Sequence, residues 1–120
     1  MAKKILIVDD EEDFLKAITI RLNHAGYETA IAKNGVEAQD YLKDNGADLI
    51  LLDVMMPKMD GLEFIKFLKG EDNLKDVPVI FLTAGSFDIA EQVETLASAQ
   101  DFMLKSVDNE QIIDRIQKVI

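Results

Sequence analysis

The strongest constraint in this sequence is an alternation of two periods. Short runs of β-branched residues and leucine take turns with longer runs whose apolar residues recur every three or four positions. Lys4-Ile5-Leu6-Ile7-Val8, Leu49-Ile50-Leu51-Leu52 and Val77-Pro78-Val79-Ile80-Phe81-Leu82 are of the first kind. A strand with no polar face is covered on both sides, which points to a parallel sheet between two layers of helix. Tyr27-Glu28-Thr29-Ala30-Ile31-Ala32 alternates more and suits an edge strand, and Phe102-Met103-Leu104 makes a short fifth strand.

Five helical stretches lie between and after these strands. Phe14, Ile18 and Leu22, with Leu15 beside them, stripe a helix from about Glu11 to His24, which Gly26 stops. Asn34-Gly35-Val36-Glu37 reads as an N-cap with an acid three residues on, opening a helix that turns Ala38, Tyr41 and Leu42 inward. Leu62, Ile65 and Leu68 mark a third helix ending at Gly70, and Ile89, Val93, Leu96 and Ala97 mark a fourth. Asp108-Asn109-Glu110-Gln111 opens a fifth, carrying Ile112, Ile116 and Val119. The pattern is (βα)5, a doubly wound five-stranded α/β fold with right-handed crossovers. Its 120 residues suit one domain with one core, and no linker, repeat or low-complexity segment divides them.

Composition narrows the chemistry. There is no cysteine, so disulfides, thiolate nucleophiles and sulfur-ligated metals are excluded. Thirteen basic against twenty-three acidic side chains give a net charge of −10. Such a surface repels nucleic acid and anionic membrane and suits hard cations or basic protein partners. The apolar stretch behind Lys3-Lys4 ends in Asp9-Asp10-Glu11-Glu12-Asp13, so it is no secretory signal and the expected location is the cytoplasm.

In an open α/β sheet, ligands bind beyond the carboxyl ends of the strands. There the first strand offers Asp9-Asp10, the third Asp53, the fourth Thr83 and the fifth Lys105. If the first and third strands are neighbours, three carboxylates converge, facing a hydroxyl and an ammonium. A divalent cation relieves their repulsion, and Mg²⁺ prefers such hard oxygen ligands together with water and phosphate. No Gly-rich loop follows the first strand, which argues against a nucleotide. A single phosphoryl group fits better, with Asp as the nucleophile. Lys105 and the metal would neutralise its equatorial oxygens, and Thr83 would donate a hydrogen bond.

These residues, in this order, resemble the receiver domain of two-component response regulators. The resemblance is carried by Ile5-Leu6-Ile7-Val8-Asp9-Asp10-Glu11, by Pro78-Val79-Ile80-Phe81-Leu82-Thr83-Ala84 and by Phe102-Met103-Leu104-Lys105. Most specific is Asp53, two residues, then Met56-Pro57-Lys58-Met59-Asp60-Gly61 after a buried strand. The resemblance spans residues 1–120 as one receiver domain and implies a flavodoxin-like sheet of order 2-1-3-4-5. It implies Asp53 as phosphoacceptor and Mg²⁺, with Mn²⁺ able to substitute, on Asp10, Asp53 and the Met55 backbone carbonyl, with Asp9 acting through water. Thr83 and Phe102 would be the switch pair, and Lys105 would bind a phosphoryl oxygen. The donor would be a phosphohistidine on a sensor histidine kinase or histidine phosphotransfer protein. A downstream protein would meet the face made by the fourth helix, fifth strand and fifth helix. Such a domain catalyses only its own phosphorylation and dephosphorylation.

The sequence departs from the family in its second half. Ser106 follows Lys105 where the family usually has a cis proline. A cis bond before a non-proline residue costs about 2.5–4 kcal/mol, so either the bond is trans and Lys105 sits differently, or the fold holds a costly bond. Ser98-Ala99-Gln100 replaces a common Gly-Ala pair, and Gly85-Ser86 makes the loop after Thr83 small. Met55 and Gly85 offer attacking water no polar guide, which predicts a long-lived phosphoryl group.

Each residue also has a plainer role. Asp9 and Asp10 suit a helix start, Thr83 a strand end, Lys105 a solvated surface and Phe102 a core position; Asp60-Gly61 suits a turn. Two further functions compete with the switch. One is a pseudo-receiver, an interaction module independent of phosphorylation. The other is a small phosphatase with an Asp nucleophile; its general acid is commonly an Asp two residues on, where this chain has Met55.

Overall fold

A computed structural model of the chain describes residues 2–53, 61–83, 101–104 and 109–120. In chain order the elements are β1 (Lys4–Val8), α1 (Glu12–His24), β2 (Glu28–Ala32), α2 (Gly35–Asp44), β3 (Leu49–Asp53), α3 (Gly61–Gly70), β4 (Val79–Thr83), β5 (Asp101–Leu104) and a C-terminal helix (Asn109–Val119). The fourth helical stretch of the sequence, with Ile89, Val93, Leu96 and Ala97, lies outside the described residues, as do Met55, Asp60, Gly85-Ser86, Ser98 to Gln100 and the Lys105-Ser106 bond.

All four strand pairings are parallel, and the order is β2-β1-β3-β4-β5. The two-faced apolar strands explain why. Ile5, Leu6, Ile7 and Val8 of β1, and Leu49 to Leu52 of β3, are all fully buried. Alternate residues feed two separate cores. Leu6, Val8, Ile50 and Leu52 pack with Ala38 and Leu42 of α2 and with Phe64 and Leu68 of α3. Ile5, Ile7, Leu49 and Leu51 pack with Leu15, Ile18 and Leu22 of α1 and with Ile112 and Ile116 of the C-terminal helix. Each such side chain contributes roughly 1.5–3 kcal/mol when it leaves water. The sheet is therefore held from both sides, and its strand ends are fixed in space.

Three local features differ from or refine the sequence reading. β4 begins at Val79 rather than Val77, because Pro78 has no N–H for the ladder; its carbonyl still accepts from Ile50 N–H at 3.0 Å. On α3 the structure buries Phe64 as well as Leu68, with Phe67 half-buried at 6.0 Å from the Phe64 ring. In Gly61-Leu-Glu-Phe-Ile-Lys-Phe-Leu-Lys-Gly70 the residues Glu63, Lys66 and Lys69 mark one polar side, and the broad apolar remainder admits a stripe through Phe64 and Phe67 as well as one through Leu62, Ile65 and Leu68. Gly26 ends α1 as expected. Its φ of 97° lets Gly26 N–H reach Asn23 O at 3.1 Å and Tyr27 N–H reach Leu22 O at 3.0 Å, closing the last turn. No helix among the described residues is long and apolar enough to cross a membrane.

Candidate functional site

Sheet register builds the site. Val8 of β1 lies beside Leu52 of β3, so the next residue on each strand, Asp9 and Asp53, stands at the same level. Carboxylate oxygens of Asp9, Asp10 and Asp53 all lie within 4.8 Å of one another. Asp9 is fully buried, Asp53 is 6% exposed, and Asp10 is open to solvent. The three acids named from the sequence are therefore one cluster, at the carboxyl ends of two adjacent central strands.

Asp9 is held on both sides. Its backbone N–H donates to Ala32 O at 3.0 Å, carrying the β1–β2 pairing one step past the strands. Its Oδ1 accepts the Glu11 N–H at 2.9 Å, a side-chain-closed turn with Asp10 at its middle. The N-cap of α1 is thus Glu11, which makes no side-chain cap bond; the first-turn acids are Glu12 and Asp13. The reading of Asp9 and Asp10 as a mere helix start is not how this helix begins.

Two like charges about 4 Å apart repel by about 4 kcal/mol at an effective dielectric of ~20. Buried carboxylates such as Asp9 and Asp53 are thus costly neighbours unless cations balance them. The donor set fits a hard divalent ion. It offers carboxylate oxygens only, on one open side, which leaves room for water and a phosphate oxygen. A groove of about 400 Å³ runs between α1 and the edge strand β2, lined by Leu15, Thr19, Ile20 and Ile31, and none of the three acids lines it.

The remaining sequence-predicted residues divide into two groups. Thr83 is the last residue of β4, one step past the Asp53–Leu82 register pair, and it pairs with Leu104 of β5. Phe102 lies in β5 opposite Phe81. Lys105 and Met55 fall outside the described residues. Sequence reasoning gave no site role to the β2–α2 connection. There Asn34 is buried; its Oδ1 accepts the Glu37 N–H at 2.9 Å, and the Glu37 carboxylate accepts the Lys33 N–H at 3.1 Å. The Asn34-Gly35-Val36-Glu37 cap is the helix start that the sequence marks.

A parallel 2-1-3-4-5 sheet with an acid cluster beyond β1 and β3 defines a doubly wound α/β protein with a cation-ready site at its carboxyl edge. The family model "response regulator receiver domain" matches residues 5–117, and the chain belongs to that family. It is 32% identical, over its full length and 98% of the relative, to the polar-differentiation response regulator DivK of Brucella anthropi. Other curated relatives are longer, and the chain spans about half of their length. Among solved structures it is similar to the chemotaxis response regulator CheY4 of Vibrio cholerae, with 30% identity, full coverage of both chains and a TM-score of 0.91. It is also similar to the response regulator TrrA of Thermotoga maritima, solved in complex with Mg²⁺-BeF, with 30% identity over 98% of this chain and 99% of that one and a TM-score of 0.86.

Proposed function

We propose that this receiver domain, residues 1–120, takes a phosphoryl group onto Asp53 and changes its protein contacts in response. The observation that carries this reading is the gathering of Asp9, Asp10 and Asp53 within 4.8 Å at the ends of two central strands. The donor is a phosphohistidine on a sensor histidine kinase or a histidine phosphotransfer protein, and the setting is the cytoplasm. A carboxylate oxygen of Asp53 attacks phosphorus, the P–N bond breaks, and its electron pair leaves on the imidazole nitrogen, giving an acyl phosphate on Asp53.

Asp10 and Asp53, with the Met55 carbonyl, would hold Mg²⁺, and Asp9 would reach it through water. When bound, the ion neutralises charge that builds on the phosphoryl oxygens. Lys105 holds one of those oxygens, and Thr83 donates to another. The same residues remove the group, so the domain catalyses only its own phosphorylation and dephosphorylation. The shift of Thr83 toward the phosphoryl group, followed by Phe102, passes the change to the face of the fourth helical stretch, β5 and the C-terminal helix.

The test is intact mass after incubation with Mg²⁺ and a small phosphodonor. The parent protein gains one phosphoryl group and Asp53→Asn gains none. No gain on the parent sinks the reading and favours an interaction module independent of phosphorylation.

A further inference from the structure

We propose that the β2 edge of the sheet is a homodimer surface, on which two copies of this chain pair their β2 strands antiparallel about a two-fold axis at Ala30. β2 is an outer strand, and its inner side is taken by β1. The Glu28 N–H donates to Lys3 O at 2.9 Å, and Ala32 O accepts the Asp9 N–H at 3.0 Å. Glu28, Ala30 and Ala32 therefore turn their backbone groups toward β1, and the residues between them turn theirs outward. At the two ends of the outward row the donors are already spent. The Tyr27 N–H donates to Leu22 O at 3.0 Å, and the Lys33 N–H donates to the Glu37 carboxylate at 3.1 Å. Thr29 and Ile31 are left, and no backbone bond among the described residues engages their N–H and C=O groups. The five residues of β2 pair with β1 without a break and include no proline, so neither a bulge nor a proline blunts this edge.

A second copy satisfies these groups as a closed set. With Thr29 opposite Ile31 of the second copy, each facing pair exchanges both of its bonds, and every outward group of the two residues is used. Shifting the register by two residues brings in Tyr27 or Lys33, whose donors are spent. Side chains agree with the backbone. Thr29 and Ile31 stand on the α1 side, where Thr29 Oγ1 donates to Asn23 Oδ1 at 3.1 Å and Ile31 lines the groove with Ile20. Ile20 is 68% and Ile31 45% exposed, and the pairing covers both. Leu15, Ile18 and Leu22 seat α1 over β1 and β3. In the pair, three spacings of about 4.8 Å separate the two β1 strands, which leaves room for two helices whose axes need about 8–10 Å. Charge favours the same occupant. The chain carries −10 overall, yet this edge sets Glu12 and Glu28 against Lys16 and Lys33, two acids against two bases. Two copies meet there without local repulsion, and a basic partner finds no surplus of acid.

The test is sedimentation equilibrium of the full chain in Mg²⁺-free buffer, from micromolar to millimolar protein. The mean mass rises with concentration toward that of a dimer. Monovalent salt strengthens the association, because it screens the overall repulsion between two chains of charge −10. Thr29→Pro removes an outward N–H that the β1–β2 ladder does not use. It deletes two bonds of the pair and raises the dissociation constant about tenfold. Ile20→Lys, at an exposed helix position outside the ladder, brings like charges together near the axis and raises it by a similar factor, about tenfold. Melting temperatures of both variants establish that they are folded. Amide hydrogen exchange gives a second readout: Thr29 and Ile31 gain protection as concentration rises, while Tyr27 and Lys33 do not change. Glu110→Lys, on the face shared by α1 and the C-terminal helix, leaves the dissociation constant at the parent value. A mean mass fixed at that of the monomer over the whole range overturns the proposal and leaves the edge to a foreign strand. A dimer that both Thr29→Pro and Ile20→Lys leave intact, or that Glu110→Lys abolishes, also overturns it, since another face then carries the association.

Discussion

At the amino end of the sheet acids meet donors one at a time, whereas at the carboxyl end three acids meet one another. Asp48, just before β3, accepts the Lys4 N–H at 2.7 Å and donates its own N–H to Lys4 O at 2.8 Å. Glu110 meets Arg21 at 3.3 Å across α1 and the C-terminal helix. The Lys4 ammonium lies 5.9 Å from the Tyr41 ring centroid. Gly26 closes α1 with two backbone bonds. Every one of these features lowers the energy of the fold by itself. Beyond β1 and β3 the arrangement is the reverse, because Asp9, Asp10 and Asp53 are brought together by sheet register against their mutual repulsion. The same strands build both ends. One end is spent on stability, and the other gathers like charges that a divalent cation would balance.

The largest effect that sharpens this contrast is stabilisation by Mg²⁺. At one hundred times its dissociation constant, a ligand that binds only the folded state adds about 2.7 kcal/mol. Thermal melting of the parent protein should rise by several degrees as Mg²⁺ is added. Asp10→Asn should lose most of that gain. In Mg²⁺-free buffer the same variant should be more stable than the parent, by about 0.5–2 kcal/mol, the usual return when a functional strain is removed. A metal-free Asp10→Asn less stable than the parent would show that the acids are not in tension.

At the other end the expected sign is opposite. Gly26 holds φ at 97°, where a side chain is strained, although nothing lies within 4 Å of a Cβ placed there. Gly26→Ala should therefore cost about 1 kcal/mol through backbone strain alone. Chemical denaturation measures that loss. Mg²⁺ affinity should stay at the parent value, because α1 is re-anchored at its start by Glu12 and Lys33 and by the bond from Glu11 N–H to Asp9. A change in affinity would mean that the two ends are mechanically coupled through α1.

How far the sequence carried the reading follows the same division. Ile5 to Val8 and Leu49 to Leu52 announced the central strands because no polar face interrupts them, and their carboxyl ends then named Asp9, Asp10 and Asp53. Register did the rest, and a parallel sheet with β1 beside β3 leaves those acids nowhere else to go. Phe64 was missed because the apolar side of α3, opposite Glu63, Lys66 and Lys69, is wide enough for more than one stripe of period three or four. Asn34 and Glu37 were read as a helix cap, and the structure shows that cap in both directions. Thr83 and Phe102 were placed on their strands by the sequence, and the register sets Thr83 beside Leu104 and Phe102 beside Phe81.

The smallest effect concerns the amino-end ion pair. Arg21 and Glu110 lie 3.3 Å apart, but their side chains are 52% and 69% exposed. Water screens such a pair, and ordering two long side chains opposes the attraction, so exposed pairs contribute about 0.2–1 kcal/mol. A double-mutant cycle with Arg21→Ala and Glu110→Ala should give a coupling energy near the low end of that range, and it should fade as salt is raised. The acid cluster should respond to salt in the other direction. Screening relieves repulsion among Asp9, Asp10 and Asp53, so monovalent salt in Mg²⁺-free buffer should stabilise the parent more than it stabilises Asp10→Asn. Parent and variant with the same salt dependence would place the balance of charge elsewhere in a chain of net charge −10, and would remove the distinction between a paired end and a strained one.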